Sequence, residues 1–161
     1  MEKRDPYLRE RALSLIQSQS TLHLATSKEG HAWVAPVYYV FFKSAFFFFS
    51  APDSRHILEG TGDGLASAAI SAAAHTWQEI RGVQMSGRIT SAGFGLTAIQ
   101  AVGAYTVKFP FTQEFFDPGQ AMDLENFSKR FRVRLYRFDP TLVLYLDNQI
   151  RFGFRSEVLL P

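Results

Sequence analysis

Apolar positions three and four residues apart open the chain: Leu8, Ala12, Leu15 and Ile16 follow Asp5 and Pro6. That spacing predicts an amphipathic helix with Asp5 as N-cap and Pro6 in the first helical position, where the missing amide costs nothing. The period then shortens. TLHLATS and, past the turn KEG, HAWVAPVYYVFF are β-branched and aromatic, which predicts a β-hairpin. KSA turns the chain into FFFFS, a third strand. Successive strand side chains point to opposite faces, so four phenylalanines in a row predict a strand covered on both sides.

PDSRHILEG reads as a short helix with Asp53 or Ser54 as cap and Gly60 as stop, so Arg55 and His56 stand in its first turn. LASAAISAAA fits helix or strand. IRGVQMSGRITSA alternates Val83 and Met85 with Gln84 and Ser86 and predicts a strand. LTAIQAVGAYTVKF and DLENFSKRF predict helices, the second capped by Asp123. RVRLYRF, TLVLYLD and IRFGFR are strand-like, with DP and DN as turns between them. Six or seven short strands with helices inserted between them predict a mainly β domain, a small antiparallel barrel or strongly bent sheet, spanning residues 1–161.

Composition narrows the chemistry. The 161 residues suffice for one core that removes about 70% of the unfolded surface from water. Sixteen Phe and 47% hydrophobic residues point to aromatic-packed sheets and against disorder. The absence of cysteine excludes disulfides, thiolate metal ligands and thiol catalysis. MEKRDPYLRERALSLIQ mixes acids and bases without an unbroken apolar run, so the expected location is the cytoplasm. Val37 to Ala51 is interrupted by Lys43 and Ser44 and is too short for a membrane helix, so no membrane partner is expected. Net charge is only +2, with one basic cluster, Lys129 to Arg137. Its Arg132 and Arg134 alternate with Val133 and Leu135, as on a strand with one wet face; a phosphate or nucleic-acid patch is the alternative.

Several motifs lose on context. GFGLTA, Gly93 to Ala98, satisfies G-x-G-x-x-G/A, but the helix after it leads into the turn-rich KFPFTQEFFDPG instead of the second parallel strand that a dinucleotide site needs. His23, His31, His56 and His75 have no metal-ligand spacing, and no G-x-S-x-G elbow occurs. PDSRH is different. A cap serine, the free amides of a helix start and a guanidinium one residue later form a candidate anion site.

EGHAWVAPVYYVF, SAPDSRHILEG, IRGVQMSG, AYTVKFPF and LYLDNQIRFGFRSEVLL, in that order, resemble the FMN-binding split-barrel superfamily typified by pyridoxamine 5′-phosphate oxidase, and within it the YhbP-like proteins. The resemblance covers nearly the whole chain. It implies a homodimeric antiparallel split barrel with FMN in grooves along the dimer interface. It further implies that Phe49 and Ser50 flank the cofactor and that Ser54, Arg55 and His56 hold its phosphate, His56 standing where the oxidases have lysine. Backbone groups of Pro36, Val37 and Tyr38 would meet the edge of the flavin ring. Ala35 and Val40 stand where the oxidases place arginine and lysine. Arg81, Gly82 and Gln84 match a strand of polar contacts, Gly82 aligning with an oxidase glutamine. The second face of the FFFFS strand would then be covered by the partner subunit or the cofactor.

Flavin performs redox chemistry itself, so such a protein needs no dedicated acid or base. The expected function is FMN-dependent oxidation or reduction of a small molecule, with no nucleic-acid partner. The alternatives are a split-barrel module that holds haem or another ligand without turnover, or a reductase that uses the deazaflavin F420.

Overall fold

The computed structural model describes residues 5–161; Met1 to Arg4 of the amino-terminal stretch lie outside them. Among the described residues, eight strands, β1 (Thr21–Lys28), β2 (His31–Tyr38), β3 (Val40–Phe42), β4 (Ala45–Ser50), β5 (Leu65–Ser71), β6 (Arg81–Ser91), β7 (Arg134–Asp147) and β8 (Arg155–Glu157), form one antiparallel sheet in the order β2-β1-β5-β6-β7-β4-β3, with β8 beside β7. The sheet curls until β2 lies beside β4 without pairing to it. This is the split barrel expected from the sequence.

Helix α1 (Pro6–Ser18) starts as its sequence requires: the Asp5 carboxylate accepts the Tyr7 amide at 2.9 Å, and Leu8, Ala12, Leu15 and Ile16 are buried. They plug the barrel interior. Strands β1 (Thr21–Lys28) and β2 (His31–Tyr38) form the predicted hairpin, closed by Glu29 and Gly30, both at positive φ. Lys43 and Ser44 likewise adopt positive φ between β3 (Val40–Phe42) and β4 (Ala45–Ser50), the backbone that suits the twist of a two-residue hairpin. VYYVFF is therefore two strands, parted at Tyr39.

Strand β4 answers the four phenylalanines. Phe46 and Phe48 face the barrel core with α1, while Ala45 and Phe47 face a second apolar cluster built on α3 (Leu96–Lys108) and α4 (Leu124–Phe131). Phe46, Phe47 and Phe48 are each at most 1% exposed. Helices of the same chain, and not a partner or cofactor, cover the second face.

Helix α2 (Arg55–Gly62) has Ser54, not Asp53, as N-cap, and it runs past Gly60. Gly60 is a point of close approach instead of a stop, because a Cβ there would lie 2.7 Å from Ile89 Cδ1. LASAAIS resolves as strand β5 (Leu65–Ser71), and β6 (Arg81–Ser91) buries Val83 and Met85 while exposing Gln84 and Ser86. RVRLYRF and TLVLYLD form one strand, β7 (Arg134–Asp147), through Asp139 and Pro140. The expected DP turn is absent because the register against β6 shifts between Ser86 and Gly87, and such an irregularity tolerates the missing proline amide.

The DN turn does form. The Asp147 carboxylate accepts the Gln149 amide at 2.9 Å, Gly153 turns at φ +68, and only Arg155–Glu157 of the last segment makes a strand, β8. Arg132 is not on a strand but closes α4 in a left-handed conformation. Gly93 to Ala98 is a loop and helix start, followed by a short 3-10 helix (Pro110–Phe115) and no parallel strand. Among the described residues no helix is long and apolar enough to cross a membrane.

Candidate functional site

Strand β4 delivers Ser50, 8% exposed, to the start of α2. Ser50 Oγ lies 2.7 Å from His56 Nε2 and 3.1 Å from Ser54 Oγ. Ser54 Oγ in turn donates to the Ala51 carbonyl at 2.7 Å, so the side chain of this N-cap residue turns the loop and makes no capping bond to the helix. The amides of the first turn are thereby left without a side-chain acceptor at the positive end of the helix dipole. Desolvation holds the His56 imidazole below its ordinary 6.5, so it is neutral at neutral pH. A neutral imidazole and two hydroxyls can donate or accept according to what they face.

Arg55 is oriented from two sides. Its Nε donates to Glu59 Oε1 at 2.7 Å one turn along α2, and its guanidinium lies 4.7 Å from the centre of the Trp33 ring on β2. Thr26 of β1 donates to the other oxygen of Glu59 at 2.7 Å. The Arg55 bond first, and the Thr26 hydroxyl second, hold the Glu59 carboxyl below its usual range. Among the described residues the Nη groups of Arg55 have no acceptor. This end of the barrel can hold a tetrahedral oxyanion by hydroxyls, backbone amides and one guanidinium.

The other expected site residues are dispersed. Phe49 stacks on Phe127, with ring centres 4.2 Å apart and planes at 19°, and meets Tyr105 edge-on, so its ring is committed to the α3–α4 cluster. Val37 belongs to the barrel core. Tyr38 is half-exposed at the far end of β2, where it packs against Phe109 and Phe111. Gly82 is buried, and a Cβ there would come within 2.5 Å of the Ile70 carbonyl oxygen, which explains why no larger residue occupies the position. Arg81 stands opposite Asp147 in the ladder and lines a hollow of about 210 Å³ with Arg11 of α1, away from α2.

Pro36 and Gln84 come together in a way that the chain order hides. Pro36, His23, Ala69, Gln84 and Leu144 form one row across β2, β1, β5, β6 and β7. Pro36, His23 and Gln84 are exposed on the outer face of the sheet. Three strand spacings separate Pro36 from Gln84, about 14 Å. A shallow groove of about 360 Å³ follows the row, lined by His23, Val34, Gln84, Ser86 and Leu142 among others.

Three residues at these places were not singled out from the sequence as site residues. His23 sits in the middle of the row, Trp33 lies under Arg55, and Arg134 stands opposite Ser50 in the β4–β7 ladder. No local signal marks Trp33, which acquires its neighbour across the sheet; Arg134 was marked only as part of the basic cluster, and its place opposite Ser50 is set by the sheet. His23 was legible only as an outward position on an alternating strand.

No family model matches the chain, and no curated protein matches its sequence. Solved structures do resemble it. A haem-binding protein from Mycobacterium smegmatis superposes with a TM-score of 0.70 at 18% identity, over 96% of this chain and 58% of that one. The chain thus spans less than two thirds of the length of that protein. A FAD-binding protein from Mesorhizobium loti superposes at 0.62 and 18% identity, covering 83% and 90%. A pyridoxamine 5′-phosphate oxidase-like protein from Listeria innocua superposes at 0.63 and 7% identity, covering 86% and 98%. At these identities the likeness shows the fold alone: the chain has the split-barrel fold of these structures. The narrower likeness to YhbP-like proteins stays a reading of the sequence.

Proposed function

We propose that the protein is a homodimeric flavoprotein that binds FMN, with the phosphate at the start of α2, and that it oxidises or reduces a small molecule in the cytoplasm. The observation that carries this reading is the uncapped first turn of α2, ringed by Ser50, Ser54 and His56 and flanked by the free Nη groups of Arg55. The similar structures named for flavin-related ligands support it. The outer face suits a second subunit, because its outward side chains include the small or apolar Ala25, Val34, Ala69 and Leu142.

Bound flavin supplies electron transfer by itself, so the chain has to bind it, orient it and exclude water. Arg55 would meet the phosphate through its Nη groups while Glu59 and Trp33 keep the guanidinium from rotating away. Pre-orienting a long side chain lowers the entropy lost when the anion arrives. Gln84 and Pro36 would address the polar edge of the ring system from the outer face.

Two flavins separate the phosphate from the ring. Arg55→Ala is expected to weaken FMN by about 1.5–3 kcal/mol, roughly tenfold to 150-fold, while riboflavin, which lacks the phosphate, binds the variant and the parent alike. Quenching of flavin fluorescence measures both. Equal losses for FMN and riboflavin would move the phosphate elsewhere, and absence of quenching by the parent protein would end the flavin reading.

Haem on the same outer face is the second reading. His23, an exposed imidazole in the middle of the row, favours it, as does the likeness to haem-binding split barrels. A Soret band that His23→Ala abolishes, in a protein that does not quench flavin, would select haem over FMN.

A further inference from the structure

The basic stretch after α4 is not part of the flavin reading, yet it borders an apolar-floored hollow at this end of the barrel. A cleft of about 590 Å³ opens between α4, the loop that leads into α3, and the start of β7. That volume falls in the range of small-molecule sites. Leu124, Val133, Leu135 and Phe94 contribute its apolar surface. Phe94 is 77% exposed, an aromatic ring held in solvent at the rim. Among the described residues no carboxylate lines the cleft, whereas Lys129, Arg132 and Arg134 do.

The three cations are not equivalent. Lys129 is paired with Glu125 one turn back on α4, at 2.6 Å. Arg132 and Arg134 are exposed, and among the described residues neither a carboxylate nor another hydrogen-bond acceptor meets their guanidinium groups. Arg132 occupies the left-handed closing position of α4, φ 53, where glycine is the residue of least cost, so the chain carries a long cationic side chain at a position that does not favour one. Gly95 leaves α3 without a side-chain cap, and Gly93 and Phe94, immediately before it, line the same cleft. Two unpaired guanidinium groups, an apolar floor and no counter-charge are complementary to one kind of guest.

We propose that this cleft binds a small organic anion with an apolar body, a carboxylate or sulfonate on an aromatic or short aliphatic frame. The apolar body fills the floor against Leu124 and Leu135, and the anion meets Arg132 and Arg134 at the mouth. Pro52, in the loop that leads to α2, forms one wall, so the cleft adjoins the phosphate site without sharing its hydroxyls. The inference goes beyond the flavin reading and does not require it.

The test uses the full chain and the dye 8-anilinonaphthalene-1-sulfonate, an aromatic frame with one anionic group. The expected result is one saturable site per chain, weakened at least tenfold by Arg132→Asn combined with Arg134→Gln, and unaffected by saturating FMN. Asparagine tolerates the left-handed backbone, and both arginines are exposed, so an unchanged thermal midpoint confirms that the variant is folded. The neutral N-phenyl-1-naphthylamine should bind more weakly than the sulfonate and show no loss in the double variant. Dye affinity within twofold of the parent in that variant, displacement by FMN, or no saturable binding at all would each overturn the proposal.

Discussion

Arg55 and Arg134 stand at the same end of the barrel, one on α2 and one opposite Ser50 on β7, and the fold treats them in opposite ways. Arg55 is anchored by Glu59, which Thr26 holds from β1, and its flat face rests on Trp33. Arg134, like Arg132 beside it, has no hydrogen-bond or ion-pair partner among the described residues and overlooks an apolar floor. An anchored guanidinium has lost its rotamer freedom before a ligand arrives and suits one geometry. A free guanidinium loses that freedom on binding, so a guest in the cleft depends more on apolar burial and accepts a wider range of anions.

The strongest way to break this contrast is to remove the floor beneath one of the two regions. Phe47 is 1% exposed under α3 and α4, and Phe47→Ala should cost about 3–5 kcal/mol, read from the urea midpoint. Hydrogen exchange is expected to quicken first in α3 and α4, and dye binding in the cleft to fail before the Arg55 site loosens. Equal loss of protection in α2 would mean that the two regions open as one unit.

A smaller effect should fall on the anchored region alone. Ser50→Ala removes the hydroxyl that His56 and Ser54 share and is expected to cost about 1 kcal/mol of stability. The NMR signals of the His56 ring should shift while the dye affinity of the cleft stays unchanged. A change in dye affinity would show that the two sites are coupled.

The smallest effect is a matter of pH. Because burial lowers the His56 value in the folded state, the ring is neutral in both folded and unfolded chains above its ordinary 6.5, and it costs nothing there. As pH falls from 6.5 through the lower folded value, the unfolded chain takes up the proton first, so stability is lost in that window. An anion at α2 favours the protonated ring, so inorganic phosphate should raise the His56 midpoint and bind more tightly as pH falls. No histidine is among the described residues that line the cleft, so dye affinity should be flat over the same range. A His56 midpoint indifferent to phosphate would remove the anion from the first turn of α2.

Much of the anchored region was legible beforehand. FFFFS followed by PDSRH predicts a buried strand that leads into a helix start, and Ser50, Ser54 and His56 do converge within 3.4 Å of one another. They lie within seven residues of each other, so the local turn suffices to bring them together. The anchoring of Arg55 was not legible in full. Glu59 is one turn away on the same helix, but Thr26 and Trp33 reach it only because β1 and β2 pass beneath α2. The free cleft was misread for the same reason: Arg132 and Arg134 alternate with apolar residues in the sequence, yet a helix end, and not a strand, holds the first of them.

Short-range chemistry determined the helix α1 with its Asp5 cap, the β1–β2 hairpin, the alternation of β6 and the cluster at the start of α2, because each depends on dihedral preferences and hydrogen bonds within a few residues. Only the tertiary structure decided that α3 and α4 cover the second face of the four phenylalanines, that β7 runs unbroken through Asp139 and Pro140, and that Pro36 and Gln84 share a row. Periodicity along the chain tells which side chains share a face. What lies against that face is set by segments tens of residues away, through packing that leaves no trace in local spacing.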